Sequence, residues 1–318
     1  MIAFVFPGQG AQYVGMGADL ARTVPEAAAV FQRAGRALDY DLQQLCWEGP
    51  EEILRQTEYT QPAILTTSCA ALAALSARGI QPGIVAGLSL GEYSALVSAG
   101  ALTFEDAVRV VRSRGRFMQH ATQNRPTAMA AILGLETAAI ERVCALAAAH
   151  GVVEPTNYNS PGHVVIAGDE VAVHEGIALA KKAGARRAVL LAVSAPFHTS
   201  LMRPVADQLA SVLESIPLHD ATVPVVSNVT ARAMRTGAEI RPLLIAQVAS
   251  AVRWEDSVRT MVAAGAKAFV EVGPGIALTG MIRKTAPDVR VFHVDDHASL
   301  EDTVRQVSKE DPSAHGKA

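Results

Sequence analysis

Residues 87–91 read Gly-Leu-Ser-Leu-Gly, a Gly-x-Ser-x-Gly pattern that can place a serine on a sharp turn between a strand and a helix. A turn this tight leaves no room for a Cβ at its flanks, which explains why Gly87 and Gly91 surround the serine. A hydroxyl held in such an elbow can attack a carbonyl carbon and form a covalent acyl intermediate. The pattern predicts Ser89 as the nucleophile of an enzyme; the alternative is an ordinary glycine-rich turn.

The residues around Ser89 supply the strand and the helix that a nucleophile elbow requires. Ile84-Val85-Ala86 is a short apolar run that follows a turn at residues 81–83. Residues 92–99 predict a short helix, in which the dipole favours Glu92 in the first turn and Gly100 is typical of the end. The order strand, turn, helix favours the elbow over a chance match.

A serine nucleophile needs a base within hydrogen-bonding distance, and the chain has nine histidines. His198 is the strongest candidate, because it lies where the chain is expected to pass from a small domain back into a large one. Pockets form preferentially at such junctions. The alternative is a surface histidine in a linker. No carboxylate identifies itself as a third triad member, and a backbone carbonyl could orient the imidazole as well.

One arginine lies on the apolar side of the helix predicted over residues 103–120, which begins at Thr103 as a typical N-cap. Arg114 falls in the middle of the face formed by Ala107, Val111 and Met118. The other three arginines of this helix lie on the opposite, solvated side, at Arg109, Arg112 and Arg116. A buried guanidinium needs a partner. Either Arg114 forms a structural ion pair with a distant acid or it belongs to an anion-binding site.

The remaining pattern predicts an α/β fold. Strands and helices alternate from a buried strand at residues 2–6 to a strand at 268–272, which is typical of a mainly parallel sheet. Residues 124–193 follow the order β-α-β-β-α-β of the ferredoxin-like arrangement, with a break in an extended run at Pro155. We therefore predict a large α/β-hydrolase-like domain formed by residues 1–123 and 194–318, into which a small ferredoxin-like domain is inserted at 124–193. In the large domain, the later predicted elements are helices over 201–216, 241–250 and 255–264 and a strand over 223–228.

Composition narrows the class of protein. The chain has 318 residues, of which 50% are hydrophobic and 19% charged, with a net charge of −3. These values are typical of a globular protein with a large core, and they disfavour nucleic acid as a partner. The apolar stretch at residues 63–77 is shorter than the ~20 residues that a membrane span needs, so it predicts a buried helix. No signal peptide is expected at the start, and residues 309–318 are expected to fray.

The three cysteines, Cys46, Cys69 and Cys144, are far apart in the sequence. An odd and sparse set argues against a disulfide framework and against a zinc site. We expect three buried thiols, no metal and a cytoplasmic location.

Several segments, in one order, make the chain resemble the malonyl-CoA:acyl-carrier-protein transacylases, the acyltransferases of fatty-acid and polyketide synthesis. The likeness extends from about Phe4 to about Thr285. The matching segments are residues 6–12, 89–95, 114–119, 157–162, 195–198 and 271–275.

The resemblance implies the parts of a catalytic site. Ser89 is the nucleophile and His198 is the general base and acid. The backbone N–H groups of Gln9 and Leu90 form the oxyanion hole. The backbone carbonyl of Gln247 orients the histidine, so that no acid is needed.

The resemblance also implies how the substrate is bound. Arg114 binds the free carboxylate of the malonyl group, which would give the guanidinium a bidentate partner. Phe197 matches the pattern associated with malonyl rather than methyl-branched substrates, and Asn159 either borders the site or caps a turn. Malonyl-CoA is the expected substrate and a phosphopantetheinylated acyl carrier protein the expected partner. No cofactor, nucleic acid or membrane is expected.

Leu88 departs from the family pattern, which usually has a histidine before the nucleophile. That histidine is not the base, so acylation should survive, but the choice of acyl group is left open. We predict malonyl transfer to a carrier-protein thiol through a malonyl-serine, in fatty-acid synthesis or as a stand-alone acyltransferase for a polyketide synthase. The alternative is a hydrolase of acyl-carrier-protein thioesters on the same fold. A non-catalytic docking subunit is disfavoured by the intact Ser89 and His198.

Overall fold

The structure, a computed structural model, describes residues 1–121, 125–191 and 195–308. It confirms the predicted α/β class, with a six-stranded sheet and a separate four-stranded sheet. The strands are β1 (Ile2–Phe6), β2 (Ile84–Gly87), β3 (Thr127–Leu133), β4 (Val153–Ser160), β5 (His163–Asp169), β6 (Arg187–Leu190), β7 (Val225–Val226), β8 (Ala233–Met234), β9 (Ala268–Val272) and β10 (Arg290–Val294). The helices are α1 (Ala18–Thr23), α2 (Pro25–Ala37), α3 (Leu42–Glu48), α4 (Glu51–Leu54), α5 (Thr57–Ala77), α6 (Gly91–Ser98), α7 (Phe104–His120), α8 (Thr137–Ala147), α9 (Glu170–Lys182), α10 (Arg203–Glu214), α11 (Gly237–Gln247), α12 (Trp254–Ala263), α13 (Ala277–Thr285) and α14 (His297–Ser308). Short 3₁₀ turns occupy Ala148–His150 and Ser200–Met202.

The large sheet has the strand order β10-β9-β1-β2-β7-β8, in which each pair is parallel except β7 with β8. Alternate residues of β1 face opposite sides of this sheet. Phe4 and Phe6 pack into the larger hydrophobic cluster, whereas Ala3 and Val5 pack into a second one. Both faces of the sheet are therefore covered, as expected for a parallel sheet.

The carboxyl ends of neighbouring parallel strands bring distant loops together. Phe6 at the end of β1 pairs with Gly87 at the end of β2, so the segments that contain Gln9 and Ser89 leave the sheet side by side. Strand β7 lies next to β2 and is followed by Asn228. Ligands of parallel α/β sheets bind at this edge, outside the carboxyl ends of the strands.

The four-stranded sheet is antiparallel and has the order β4-β5-β3-β6, which confirms the ferredoxin-like arrangement. Helices α8 and α9 cover it around a hydrophobic cluster of its own, to which Ile132 and Ile166 belong. Strand β4 is tied to the large domain, because Val252 N donates to Thr156 O at 2.8 Å and Tyr158 N donates to Val252 O at 2.9 Å. The predicted domain boundaries at 123/124 and 193/194 lie outside the described residues and stay predictions.

Several predicted elements differ from those observed. The strand predicted over 223–228 is limited to Val225–Val226, and the helix predicted over 241–250 is α11, which begins at Gly237. The early start follows from a capping box between Thr236 and Glu239. Strand β4 runs through Pro155 with register shifts instead of breaking there. The pattern missed β8, α13, β10 and α14.

The predictions for the cysteines and for the apolar stretch at residues 63–77 agree with the structure. All three cysteines are buried free thiols, and α5 is a buried helix. Within the described ranges, no helix has the length and apolar character needed to cross a membrane. The same ranges contain no cluster of three or more histidine, cysteine, aspartate or glutamate residues that could hold a metal. The predicted fraying of residues 309–318 falls outside the described residues.

Candidate active site

Ser89 lies on a sharp turn between β2 and α6, with a left-handed φ of 53°. A Cβ at Gly87 would lie 1.9 Å from the carbonyl carbon of Gly91, and a Cβ at Gly91 would lie 2.1 Å from Phe6 O. Both contacts are with backbone atoms, so no side-chain movement could relieve them. The two glycines are therefore steric requirements of the elbow, as the sequence predicted.

Asn228 fastens the elbow from the neighbouring strand. Its side-chain oxygen accepts a hydrogen bond from Ser89 N at 2.6 Å, and its side-chain nitrogen donates to Gly87 O at 2.7 Å. Asn228 is fully buried, so these bonds satisfy backbone groups that water does not reach. Sequence reasoning missed this residue. The available signal was a polar residue at the end of the strand predicted over 223–228.

His198 lies beside Ser89. Its Nε2 is 2.6 Å from Ser89 Oγ, and its Nδ1 is 2.9 Å from the backbone carbonyl of Gln247 at the end of α11. A carbonyl oxygen can only accept, so Nδ1 carries the proton and Nε2 is left to accept the proton of the serine hydroxyl. The predicted juxtaposition of Ser89, His198 and the Gln247 carbonyl is thus present, without a carboxylate.

The imidazole is kept neutral by its surroundings. His198 is only 4% exposed, and burial lowers its pKa to about 4, assisted by the positive charge of Arg114. Hydrogen bonds to the backbone carbonyls of Gln247 and Ser250 act in the opposite direction. A neutral imidazole at neutral pH is the form that acts as a general base.

Arg114 is 1% exposed and projects from α7 toward Ser89. Its Nη2 donates to Ser89 Oγ at 3.1 Å and to Gln247 Oε1 at 3.0 Å, and its Nη1 donates to Gln61 Oε1 at 2.9 Å. Burial lowers its pKa, but an arginine stays protonated in proteins. No carboxylate of the described residues forms an ion pair with it, so the structural ion pair is absent there and the anion-binding role stays a prediction.

The other arginines of α7 have different environments. Arg109 and Arg116 are exposed, in agreement with the predicted solvated side. Arg112 differs from that prediction because it is partly buried, pairs with Asp39 and stacks over the ring of Tyr40.

Glu92 has a larger part in the site than its place in a helix predicted. It is fully buried, and its Oε2 accepts hydrogen bonds from Gln247 Nε2 at 2.7 Å and from Asn228 N at 3.2 Å. Burial raises its pKa to about 7, opposed by both hydrogen bonds and by the charge of Arg114. The sequence interpretation assigned Glu92 only to the helix dipole, so this connection was missed.

Gln9 and Leu90 line the same cavity as Ser89. Within the described part of the chain, neither backbone N–H has an acceptor, whereas the Gln9 side chain donates to Thr57 Oγ1 at 3.3 Å. Two free N–H groups beside a nucleophile are the elements of an oxyanion hole. Their assignment to that role stays a prediction.

The cavity in front of Ser89 has a volume of about 200 Å³, below the ~300–1,000 Å³ of pockets that enclose a drug-sized ligand. It can therefore enclose a small acyl group but not a whole coenzyme. Its apolar wall consists of Leu88, Leu90, Met118, Met129, Val165, Leu191, Phe197 and Met281. Asn159 borders this cavity, and its Nδ2 lies 3.3 Å from His163 Nε2.

A serine on an elbow, paired with a buried histidine and flanked by free N–H groups, is typical of acyl-transferring enzymes. The chain belongs to the acyl transferase domain family, which matches residues 3–310. It is 49% identical over 299 residues to the malonyl CoA-acyl carrier protein transacylase of Escherichia coli (strain K12), covering 94% of this chain and 97% of that one.

Solved structures agree with this assignment. The malonyl CoA-acyl carrier protein transacylase of Clostridium perfringens superimposes with a TM-score of 0.95 at 40% identity, covering 99% of both chains. A malonyl-transacylase solved in complex with its type II polyketide-synthase acyl carrier protein has a TM-score of 0.93 at 43% identity, covering 96% of this chain and 99% of that one.

Proposed function

We propose that this chain transfers the malonyl group of malonyl-CoA to the phosphopantetheine thiol of an acyl carrier protein, through a malonyl ester on Ser89. The observation that carries the proposal is the buried guanidinium of Arg114, 3.1 Å from Ser89 Oγ and without a carboxylate partner in the residues described. A malonyl thioester has a carboxylate one methylene away from its reacting carbonyl. An acyl group of this shape can reach both residues and neutralise the buried cation.

In the first half-reaction, Ser89 Oγ attacks the thioester carbon while His198 Nε2 takes the hydroxyl proton. The C–O bond forms and the carbonyl electron pair moves to oxygen, where the N–H groups of Gln9 and Leu90 stabilise the oxyanion. The oxyanion then collapses and the C–S bond breaks. The imidazolium gives its proton to the departing CoA sulfur, which its low pKa favours.

In the second half-reaction, His198 takes the proton of the carrier-protein thiol. The sulfur attacks the malonyl-serine carbonyl, the C–O bond breaks, and the proton returns to Ser89 Oγ. The carrier-protein thiol uses the same base and the same oxyanion donors as the CoA thiol, because the second half-reaction is the reverse of the first with a different thiol. This is a ping-pong transfer, and it requires the acyl-enzyme to outlast the exchange of thiols.

The names of the relatives support the substrate and the partner. They include malonyl CoA-acyl carrier protein transacylases and a malonyl-transacylase that serves a polyketide-synthase carrier protein. The proposal therefore extends to fatty-acid and polyketide synthesis. It also includes a cytoplasmic location, for which the three free thiols argue.

Mass spectrometry of the protein after incubation with malonyl-CoA tests the proposal. We expect a malonyl adduct on the peptide that contains Ser89, and no adduct in Ser89→Ala. An unmodified Ser89 peptide in the wild-type protein would sink the proposal.

A hydrolase on the same fold is the alternative. The two functions differ in the acceptor of the acyl group, which is a carrier-protein thiol for the transferase and water for the hydrolase. The preformed malonyl-enzyme is mixed with a phosphopantetheinylated carrier protein or with buffer alone. The apolar cavity wall, which includes Leu88, disfavours water beside the ester. We expect release to the thiol to be much faster than release to water; equal rates would establish the hydrolase.

A further inference from the structure

Glu92 is a buried acid behind the nucleophile that the proposed acyl-transfer steps do not use. It lies in the first turn of α6, three residues after Ser89, and it has no solvent exposure. Its Oε2 accepts two hydrogen bonds, whereas its Oε1 has no partner among the described residues. Burial of an acid is costly, so this arrangement calls for an explanation beyond packing.

The explanation lies in the side-chain amide of Gln247, whose two ends differ chemically. Its Nε2 donates to Glu92 Oε2 at 2.7 Å and to Ser89 O at 2.9 Å, so both of its N–H groups are occupied. Its Oε1 therefore faces Arg114 Nη2, from which it accepts at 3.0 Å. If the amide were rotated by 180°, oxygen would face oxygen at Glu92 and Ser89, and N–H would face N–H at Arg114.

We propose that Glu92 is a positioning residue that sets the orientation of the Gln247 amide and, through it, of the Arg114 guanidinium that receives the substrate carboxylate. Gln247 holds Nη2 of Arg114 while Gln61 holds Nη1. Loss of the first hold leaves Nη2 only its bond to Ser89 Oγ, the atom that becomes acylated, and a displacement of ~0.5 Å or more degrades a binding constellation. Selectivity for carboxylated acyl groups thus depends on a side chain that never touches the substrate. This inference rests on the proposed function.

Two conservative substitutions of Glu92 separate the effect of its charge from the effect of where its acceptor oxygen lies. Glu92→Gln removes the charge but can keep an oxygen at the Oε2 position, with its amide nitrogen at the unpartnered Oε1 position. Glu92→Asp keeps the charge but withdraws the carboxylate by one methylene, out of reach of Gln247. The measurement is the ratio of the rates at which malonyl-CoA and acetyl-CoA acylate Ser89.

We expect Glu92→Asp to lower the malonyl-to-acetyl ratio by about 10- to 100-fold, the effect of losing a charge-assisted hydrogen bond. Glu92→Gln should keep the ratio within about threefold of the wild-type value, the range of context effects. A double-mutant cycle with Gln247→Met should show that Glu92→Asp adds no further loss of ratio, because both changes break the same link.

Glu271 provides the matched control. It is also fully buried, but its carboxylate accepts from the backbone N–H groups of Leu278 and Thr279 at the start of α13. Glu271→Asp should lower the unfolding temperature and leave the ratio unchanged. A change in the ratio for Glu271→Asp equal to that for Glu92→Asp would reduce the effect to general destabilisation and overturn the inference.

Other outcomes would overturn either the inference or the proposed function. Equal losses of malonyl and acetyl loading in Glu92→Asp, or a collapsed ratio in Glu92→Gln with a normal one in Glu92→Asp, would overturn the inference while the proposed function stands. A wild-type protein that loads no malonyl group would refute the proposed function itself. The two failures are therefore distinguishable.

Discussion

His198 Nε2 lies 2.6 Å from Ser89 Oγ, and both residues have left-handed backbone conformations, with φ of 64° and 53°. Each such conformation costs a non-glycine residue roughly 1–3 kcal/mol and persists only where its surroundings impose it. Here Asn228 holds the serine turn, and the carbonyl of Gln247 holds the imidazole. The pair is thus oriented before any substrate arrives, which is the arrangement that acyl transfer requires.

The first prediction concerns the pH dependence of acylation. Burial and Arg114 lower the pKa of His198 to about 4, from an ordinary value of 6.5. The neutral, basic imidazole therefore persists as the pH falls below 6.5, and acylation should decline only as the pH approaches the lowered pKa. Acetyl-CoA is the suitable substrate, because its acyl group does not titrate. An acid limb at or above pH 6.5 would contradict the prediction.

The same profile measured on Arg114→Met separates the two causes. Removal of the guanidinium removes one of the effects that lower the pKa of His198, so the acid limb should move to higher pH. Burial is the larger cause and remains, so the limb should stay below pH 6.5. An unmoved limb would show that the charge of Arg114 does not reach the imidazole.

The second prediction concerns selectivity for carboxylated acyl groups. Arg114→Ala removes the cation that is proposed to bind the malonyl carboxylate, so malonyl loading should fall far more than acetyl loading. A charged hydrogen-bonded pair contributes about 1.5–3 kcal/mol, which corresponds to a loss of about 10- to 150-fold in the ratio. The ratio is obtained from the rates at which malonyl-CoA and acetyl-CoA acylate Ser89.

Arg116→Ala is the matched control for this substitution. Arg116 lies two residues further along the same helix, is exposed, and approaches Glu58 only at 3.8 Å. An exposed pair contributes little, so both loading rates should stay near wild type. Equal losses of malonyl and acetyl loading in Arg114→Ala would show that Arg114 does not bind the malonyl carboxylate.

The third prediction concerns the elbow rather than the acyl group. Asn228→Asp keeps an acceptor for Ser89 N but replaces the donor to Gly87 O by a second oxygen. Because that oxygen repels the carbonyl, the turn should distort, and malonyl and acetyl loading should fall together by about 10-fold or more. A fall in malonyl loading alone would show that Asn228 acts on the carboxylate subsite instead.

The parts of the site that local patterns encode were predicted from the sequence. The elbow depends on a few consecutive residues, and the inward position of Arg114 follows from helical periodicity. The partners of these residues could not be predicted in the same way, since they come from distant segments. Asn228 and Gln247 meet Glu92 across 136 and 155 residues, and only the tertiary fold brings them together. Helical periodicity left the interpretation of Arg114 divided for the same reason. The family resemblance implied carboxylate binding, and the structure gives the guanidinium uncharged partners.

The last prediction tests the steric basis of the elbow. Gly91→Ala places a Cβ 2.1 Å from Phe6 O, a backbone atom of β1 that cannot rotate away. Relief requires the elbow to move off the sheet, at a typical cost of about 1–3 kcal/mol, and it displaces Ser89 from His198. Gly280→Ala is the control, because no atom lies within 4 Å of the added Cβ in α13 and alanine favours a helix by up to ~1 kcal/mol. Thermal unfolding and Ser89 acylation should therefore both fall in Gly91→Ala, while Gly280→Ala should unfold at the wild-type temperature or above it. Full acylation in a Gly91→Ala protein of normal stability would mean that the close contact with β1 does not shape the nucleophile.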